Sequence, residues 1–246
     1  MSVPAEDEHI TELINQLSQE KQQLISLISH DLRSPLNRLH ALLQLLQMND
    51  ANLTPDQKVY LEKMHIVVAD ALAMMRNLMD YRSLELNLFT QQPEQLNLNE
   101  LLNSVVKSFA QVARKKDIEL KIKNNPQVML FADRYCLQRA LENIVSNALK
   151  FSFGGKTVIL NAGFSDAEYW LEISDEGQGF KEEELESIGQ KFKKLSARPT
   201  GGESSTGLGL YIANTLIGKI NGKISFQSVF SRGSTFRITL PVTAAG

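Results

Sequence analysis

One cysteine in 246 residues, Cys136, leaves no partner for an internal disulfide. It sits between Tyr135 and Leu137 in a stretch of helical character, so a buried structural thiol is expected. Long apolar runs are missing too. The richest, Ala41 to Leu46, is broken by Gln44 and falls well short of the roughly 20 residues that a membrane-spanning helix needs. No early basic-then-apolar segment has the form of a secretory signal, so a soluble chain without membrane contact is expected. An excess of one charge sign is also absent: 26 Lys and Arg against 28 Asp and Glu give a formal net charge of -2. That balance supplies no basic field, and no nucleic-acid partner is expected. Apolar side chains are plentiful, at 43% of the sequence, enough for one large core or two smaller ones.

In the N-terminal third the apolar residues are spaced for helices. Ile10, Leu13 and Leu17, then Leu24 and Leu27, fall at steps of three and four, with Asp31 and Ser34 next in register. The series resumes at Ala41, Leu45 and Met48, while Leu39, Leu42, Leu43 and Leu46 widen the stripe. A widened stripe favours a four-helix bundle over a two-stranded coil. Helix is therefore expected from about Glu6 to Met48. Asn49 to Leu53 interrupts it, and Thr54-Pro55-Asp56-Gln57 then supplies an N-cap, a first-turn proline and the glutamine of a capping box. The second helix repeats the spacing at Leu61, Met64, Val68, Ala71, Met75 and Leu78. One hairpin cannot cover two such stripes, whereas two copies can, so a homodimer is expected.

Polar residues 90–95, with Pro93 among them, read as a linker between a hairpin domain, 1–89, and a second domain, 96–246. In the second domain helices are expected at Asn99 to Lys115, Arg134 to Phe151 and Leu208 to about Ile220. Strands are expected at Ile118 to Ile122, Val128 to Phe131, Thr157 to Phe164, Tyr169 to Ser174, Lys223 to Ser228 and Ser234 to Leu240. The fold class is thus α followed by α/β: a helical hairpin that dimerises into a four-helix bundle, then an α/β sandwich.

Four segments carry chemistry. Asn143 and Asn147 lie four apart on one face of a helix, where asparagine is a poor helix former, followed by Lys150 and Phe151. They make either a solvated polar face or a site for Mg²⁺, a hard cation that shares its oxygen ligands with substrate phosphates; Lys150 would then neutralise phosphate charge. Ser174-Asp175-Glu176-Gly177-Gln178-Gly179-Phe180 follows a strand. It is either a plain turn or a place where Asp175 accepts a hydrogen bond from an exocyclic amine and glycine backbone approaches a base. Thr206-Gly207-Leu208-Gly209-Leu210 opens a helix with bare N–H groups suited to an anion, after a run, Ser196 to Ser205, of lid composition. The fourth segment is Ser29-His30-Asp31-Leu32-Arg33-Ser34-Pro35-Leu36. It places His30 beside a carboxylate on the flank of the hairpin, with a helix-bending proline five residues on.

Together these segments resemble the sensor histidine kinases. His30 to Leu36 looks like their phosphoacceptor motif, Asn143 to Phe151 like their N box, and Asp175 to Gly179 and Gly207 to Leu210 like their two glycine boxes. The likeness runs from about Leu24 to Leu240, in the family's order. It implies a dimerisation and phosphoacceptor hairpin followed by the Bergerat-type sandwich shared with gyrase-type ATPases. It further implies ATP and Mg²⁺ as ligands, with Asn147 and Asn143 on the metal. Lys150, Phe151, Asp175, Gly177, Gly179, Phe192, Gly207, Leu208 and Gly209 would line the nucleotide site. His30 would accept the γ-phosphoryl group, Asp31 would orient it, and Ser34 would serve dephosphorylation of a partner response-regulator receiver domain. A cytoplasmic location is implied, as a separate protein or as the cytoplasmic portion of a longer membrane-anchored sensor. Ser205, Ser231 and Gly189 depart from the family pattern around the lid. Two other classes fit less of the sequence: a same-fold ATPase or serine kinase, which has no use for the His30 context, and a dimeric scaffold with a decayed nucleotide site, against which the intact asparagines and Asp175 stand.

Overall fold

The computed structural model describes residues 16–17, 31–48, 50–124, 126–165 and 168–242. His30 and most of the seam before Asp31 lie outside the described residues. The chain forms two compact units, Met1–Leu88 and Phe89–Gly246.

In the first unit residues 31–48 are helical, here α1, and the helix continues through Pro35. A short 3-10 turn, Asp50–Asn52, leads to α2, Pro55–Glu85. The start of α2 is set by a reciprocal capping box: Thr54 Oγ1 accepts from Gln57 N at 3.3 Å, and Gln57 Oε1 accepts from Thr54 N at 2.9 Å. The two helices meet through Leu43, Leu61, Val68 and Leu72, with Leu36 and Leu53 packed at the edge. Leu39, Leu42, Leu45, Leu46 and Met64 of the stripe are open, whereas Met75, further along α2, is buried.

The second unit is a sheet covered on one face by helices. Its elements are β1 (Pro93–Asn97), α3 (Leu98–Lys115), β2 (Glu119–Asn124), β3 (Met129–Asp133), α4 (Arg134–Phe151), β4 (Thr157–Phe164), β5 (Glu168–Asp175), α5 (Gly209–Lys219), β6 (Lys223–Val229) and β7 (Gly233–Pro241), with a 3-10 helix at Glu182–Ser187. The main sheet runs β2-β4-β5-β7-β6, parallel between β2 and β4 and antiparallel elsewhere. Alternate residues of β4, Val158, Leu160 and Ala162, point into the core, as the period of two requires. They meet Leu137, Leu141 and Ile144 of α4, whose flanks pack on α3 and α5. Cys136 is fully buried there, and burial, with Asp133 beside it, pushes its thiol up to about 12, which makes it inert. Trp170 lies on the opposite face of the sheet, with the Arg237 guanidinium 4.9 Å above its ring.

One expectation is corrected. Residues 93–95, expected within a linker, belong to β1, which pairs antiparallel with β3 from Pro93↔Asp133 to Asn97↔Met129. Only Leu96 of this strand is buried, so polar residues are held there by backbone pairing, with Pro93 at the first position, where the missing N–H does least harm.

Candidate nucleotide site

Three elements of the second unit converge. Asp133 starts α4 by accepting from Cys136 N at 2.9 Å, and the helix carries Asn143, Asn147, Lys150 and Phe151 toward its C-terminal end. Asn143 is buried, at 6% exposure, and its Nδ2 has no hydrogen-bond partner. A buried amide left so costs about 1–3 kcal/mol. Gly209 lies beside it, with the position of a Cβ there 3.4 Å from Asn143 Oδ1. Asn147, one turn on, is half-buried. The open Nδ2 is a donor and fits an acceptor such as a phosphate oxygen, whereas a hard cation sharing that phosphate would take the amide Oδ1 atoms. No group of three or more His, Cys, Asp or Glu side chains among the described residues is placed to hold a metal by itself.

The second element ends β5. Asp175 Oδ1 accepts from Gly177 N at 2.9 Å. Burial pushes the Asp175 carboxyl up to about 6, and the N–H groups of Gly177 and Ser234 oppose that rise. It still ionises near neutral pH and accepts hydrogen bonds. Gly177 touches the end of α4 so closely that a Cβ would stand 2.7 Å from Phe151 O, to which Gln178 N also donates at 3.3 Å. Gly179 has φ +60, and a side chain there would strike the Val229 carbonyl. Both glycines are therefore required by close approach of backbone.

The third element is the entry to α5. Gly207 has φ +70, and its Cβ would lie 2.7 Å from Lys193 O. Leu208 is buried as the residue before the helix, and Gly209 begins it beside Asn143. Phe192 is exposed, with φ +59; its backbone rather than its ring meets Gly207.

The run expected to form a lid is fastened in this structure. Gln178 Nε2 donates to Arg198 O at 2.6 Å and Arg198 N donates to Gln178 Oε1 at 3.2 Å. Thr200 N donates to Lys150 O at 2.9 Å, and Thr200 Oγ1 donates to Ser152 O at 2.6 Å. Lys150 Nζ, expected on phosphate, donates to Ser204 O at 2.9 Å. Sequence reasoning missed Lys116 and Glu203, whose side chains meet at 2.8 Å. Gln178 carried a signal, since it stands between the two glycines of the first box. The candidate residues of α4, the β5 loop and the α5 entry are thus brought to neighbouring elements, while Asp31 and Ser34 are exposed on α1 in the other unit and His30 lies outside the described residues.

Comparison with known proteins agrees with this arrangement. The family model described as His Kinase A (phospho-acceptor) domain matches residues 20–87. That described as Histidine kinase-, DNA gyrase B-, and HSP90-like ATPase matches residues 132–244. The chain is 29% identical over 237 residues to the autoinducer 2 sensor kinase/phosphatase LuxQ of Vibrio vulnificus, covering 92% of this chain and 27% of that protein. It is 30% identical over 222 residues to the signal transduction histidine-protein kinase BarA of Escherichia coli, covering 88% of this chain and 24% of that one. The chain therefore spans about a quarter of the length of these relatives. Among solved structures, full-length ShkA in complex with AMPPNP shares the fold, with a TM-score of 0.66, 24% identity, and coverage of 91% of this chain and 47% of that one. The order of hairpin and sandwich, the two glycine turns set around α4 and the matched families agree: this chain belongs to the sensor histidine kinases of two-component signalling.

Proposed function

We propose that the chain transfers the γ-phosphoryl group of ATP to its own His30 and passes it on to an aspartate of a response-regulator receiver domain. The observation that carries the nucleotide half of this reading is the buried Asn143 amide whose Nδ2 has no partner, set on α4 beside Gly209, the far end of that helix touching the turn that holds Asp175. Asp175 accepts a hydrogen bond from the exocyclic amine of adenine. Gly177, Gly179, Phe151, Phe192 and Leu208 line or support the pocket, and the N–H groups after Gly207 face phosphate. Asn143 and Asn147 would hold Mg²⁺, which neutralises charge on the phosphates when bound. Lys150 turns from Ser204 O to the phosphate chain.

Phosphoryl transfer of this kind asks the protein for positioning and charge neutralisation. Near pH 7 an ordinary histidine, with pKa about 6.5, is mostly neutral and attacks through one ring nitrogen. A P–N bond forms, the bond from the γ-phosphorus to the bridging oxygen breaks, and ADP leaves. Asp31 holds the proton on the other ring nitrogen. Adjacent helical residues point about 100° apart, so this contact needs a favourable rotamer. Ser34, one turn after His30 and exposed, has a hydroxyl able to orient water toward the phosphorylated receiver.

The open leucines of the hairpin support a homodimeric four-helix bundle. No helix among the described residues is long and apolar enough to cross a membrane. We place the activity in the cytoplasm, within a longer sensor of the kind its relatives are.

The test is labelling with ATP carrying γ-³²P. Wild type should gain an acid-labile, base-stable phosphoramidate that His30→Gln loses while still binding ATP, and Asn147→Asp should abolish labelling through the nucleotide site. Acid-stable label on serine would favour a serine kinase of the same fold instead.

A further inference from the structure

We propose that Lys116 is a positioning residue for the nucleotide site: with Glu203 it forms a clasp that holds residues 198–204 down on the end of α4 and so slows nucleotide release. The proposal rests on the nucleotide-site reading above and deepens it. Lys116 is the C-cap residue of α3. Its ammonium donates to Leu149 O at 2.7 Å, Lys150 O at 3.2 Å and Glu203 Oε1 at 2.8 Å, which uses all three of its N–H groups. Both side chains of the pair are only 14% exposed. The carbonyl end of α4 is the negative pole of that helix, so the ammonium has a reason to sit there before any lid arrives. Glu203 then docks on a charge already in place. Its second oxygen accepts from Gly201 N at 2.9 Å, which shapes the turn of the segment. Although burial works the other way, the Lys116 ammonium and nearby N–H groups hold the Glu203 carboxyl below its ordinary range, so the clasp stays charged at neutral pH.

The clasp is tied to the site at both ends of the segment. Upstream, Arg198 is bonded in both directions to Gln178, within the loop that carries Asp175. Downstream, Glu203 stands shortly before Gly207 and Gly209, and Gly209 faces Asn143. When Lys150 leaves Ser204 O for phosphate, one attachment of the segment is lost. The Glu203 and Thr200 contacts are then what keep it on α4.

The experiment uses the full chain and a fluorescent N-methylanthraniloyl ADP chased with excess ATP. Glu203→Gln, which keeps the α4 carbonyls capped by Lys116, should speed release about fivefold to tenfold, the upper range for a partly buried pair. Lys116→Met should do the same, Lys116→Arg should restore most of the retention, and Lys116→Met with Glu203→Gln together should be no faster than either alone. Added salt should speed release from wild type and not from Glu203→Gln. Amide hydrogen exchange without nucleotide gives a second readout, with faster exchange expected in residues 196–206 of both single variants and unchanged exchange in α4 of Glu203→Gln. Wild type that retains no nucleotide would overturn the site reading and this proposal with it. Wild type that retains nucleotide, with release unchanged or slower in Glu203→Gln, would overturn the clasp alone.

Discussion

The two units treat the same kind of side chain in opposite ways. Leucines at helical spacing in α4, such as Leu137 and Leu141, are wholly buried, while in α1 Leu43 is buried but most other apolar residues stay open, with Leu42 at 59% exposure and Met48 at 81%. The difference lies in the number of layers. The α/β unit sets a five-stranded sheet against three helices, so each apolar face meets another. Among the described residues of the hairpin, α1 and α2 share one small cluster, Leu43, Leu61, Val68 and Leu72, and most of the α1 stripe stays uncovered. A stripe in a sequence thus says which face wants cover, and only the architecture says whether the same chain supplies it.

The largest test of this contrast is a pair of identical substitutions. Leu160→Ala, at a residue 1% exposed in the middle of β4, should cost about 2–5 kcal/mol through lost transfer energy and a cavity. Leu42→Ala should change little at concentrations where the hairpin is monomeric, within about 0.5 kcal/mol for an exposed site. If a second copy covers Leu42, the cost should appear only in concentrated protein. Urea unfolding at two concentrations reads both. Equal losses for Leu42→Ala at every concentration would mean that the hairpin core is already complete in one chain.

Legibility in the sequence follows the same division. The bounds of α4 were readable because Asp133 caps one end and the apolar period stops at Phe151. The cap of α2 was readable from Thr54 and Gln57 alone. Strand β1 was hidden, since Leu96 is its one buried residue and a period of two cannot show in so short a segment. The asparagines, Asp175 and the glycines were legible as separate motifs, but their convergence rests on contacts such as Gly177 with Phe151 O and Gly209 with Asn143. Lys116 and Glu203 are 87 positions apart, joined by tertiary structure that no local pattern announces. Lys150 was read as a phosphate ligand from its place in the motif, whereas here its amine rests on the carbonyl of Ser204.

A second test concerns a cost borne by the α/β unit. Burial raises Asp175 from its ordinary 3.8 to about 6. A carboxyl raised in the folded state binds its proton more tightly there than in the unfolded chain. The associated stability is fully present below about pH 4 and is lost as pH rises through about 6. The rise is worth about 3 kcal/mol at most. Asp175→Asn keeps an acceptor for Gly177 N–H and removes the charge. It should match wild type near pH 4 and melt higher above pH 6, while binding ATP more weakly. The hairpin transition should not move. A variant no more stable than wild type at pH 8 would show that the N–H groups around Asp175 already satisfy the carboxylate.

The smallest effect sharpens the contrast most, because it separates a hairpin that folds alone from one that folds by pairing. Thr54 is exposed, and the two hydrogen bonds of its capping box stay within the first turn of α2. Thr54→Ala should therefore cost about 1 kcal/mol per chain, the usual worth of an N-cap, and leave the α/β unit untouched. A hairpin that folds as a monomer would show that loss as a lower melting temperature, the same at every concentration. If folding and pairing are one step, each dimer loses two caps, about 2 kcal/mol, and its dissociation constant rises roughly 30-fold. Thermal melts of wild type and Thr54→Ala at two concentrations, with sedimentation at each, distinguish the cases. The open leucines of α1 predict the second outcome: a shift that widens as the protein is diluted, confined to the helical transition.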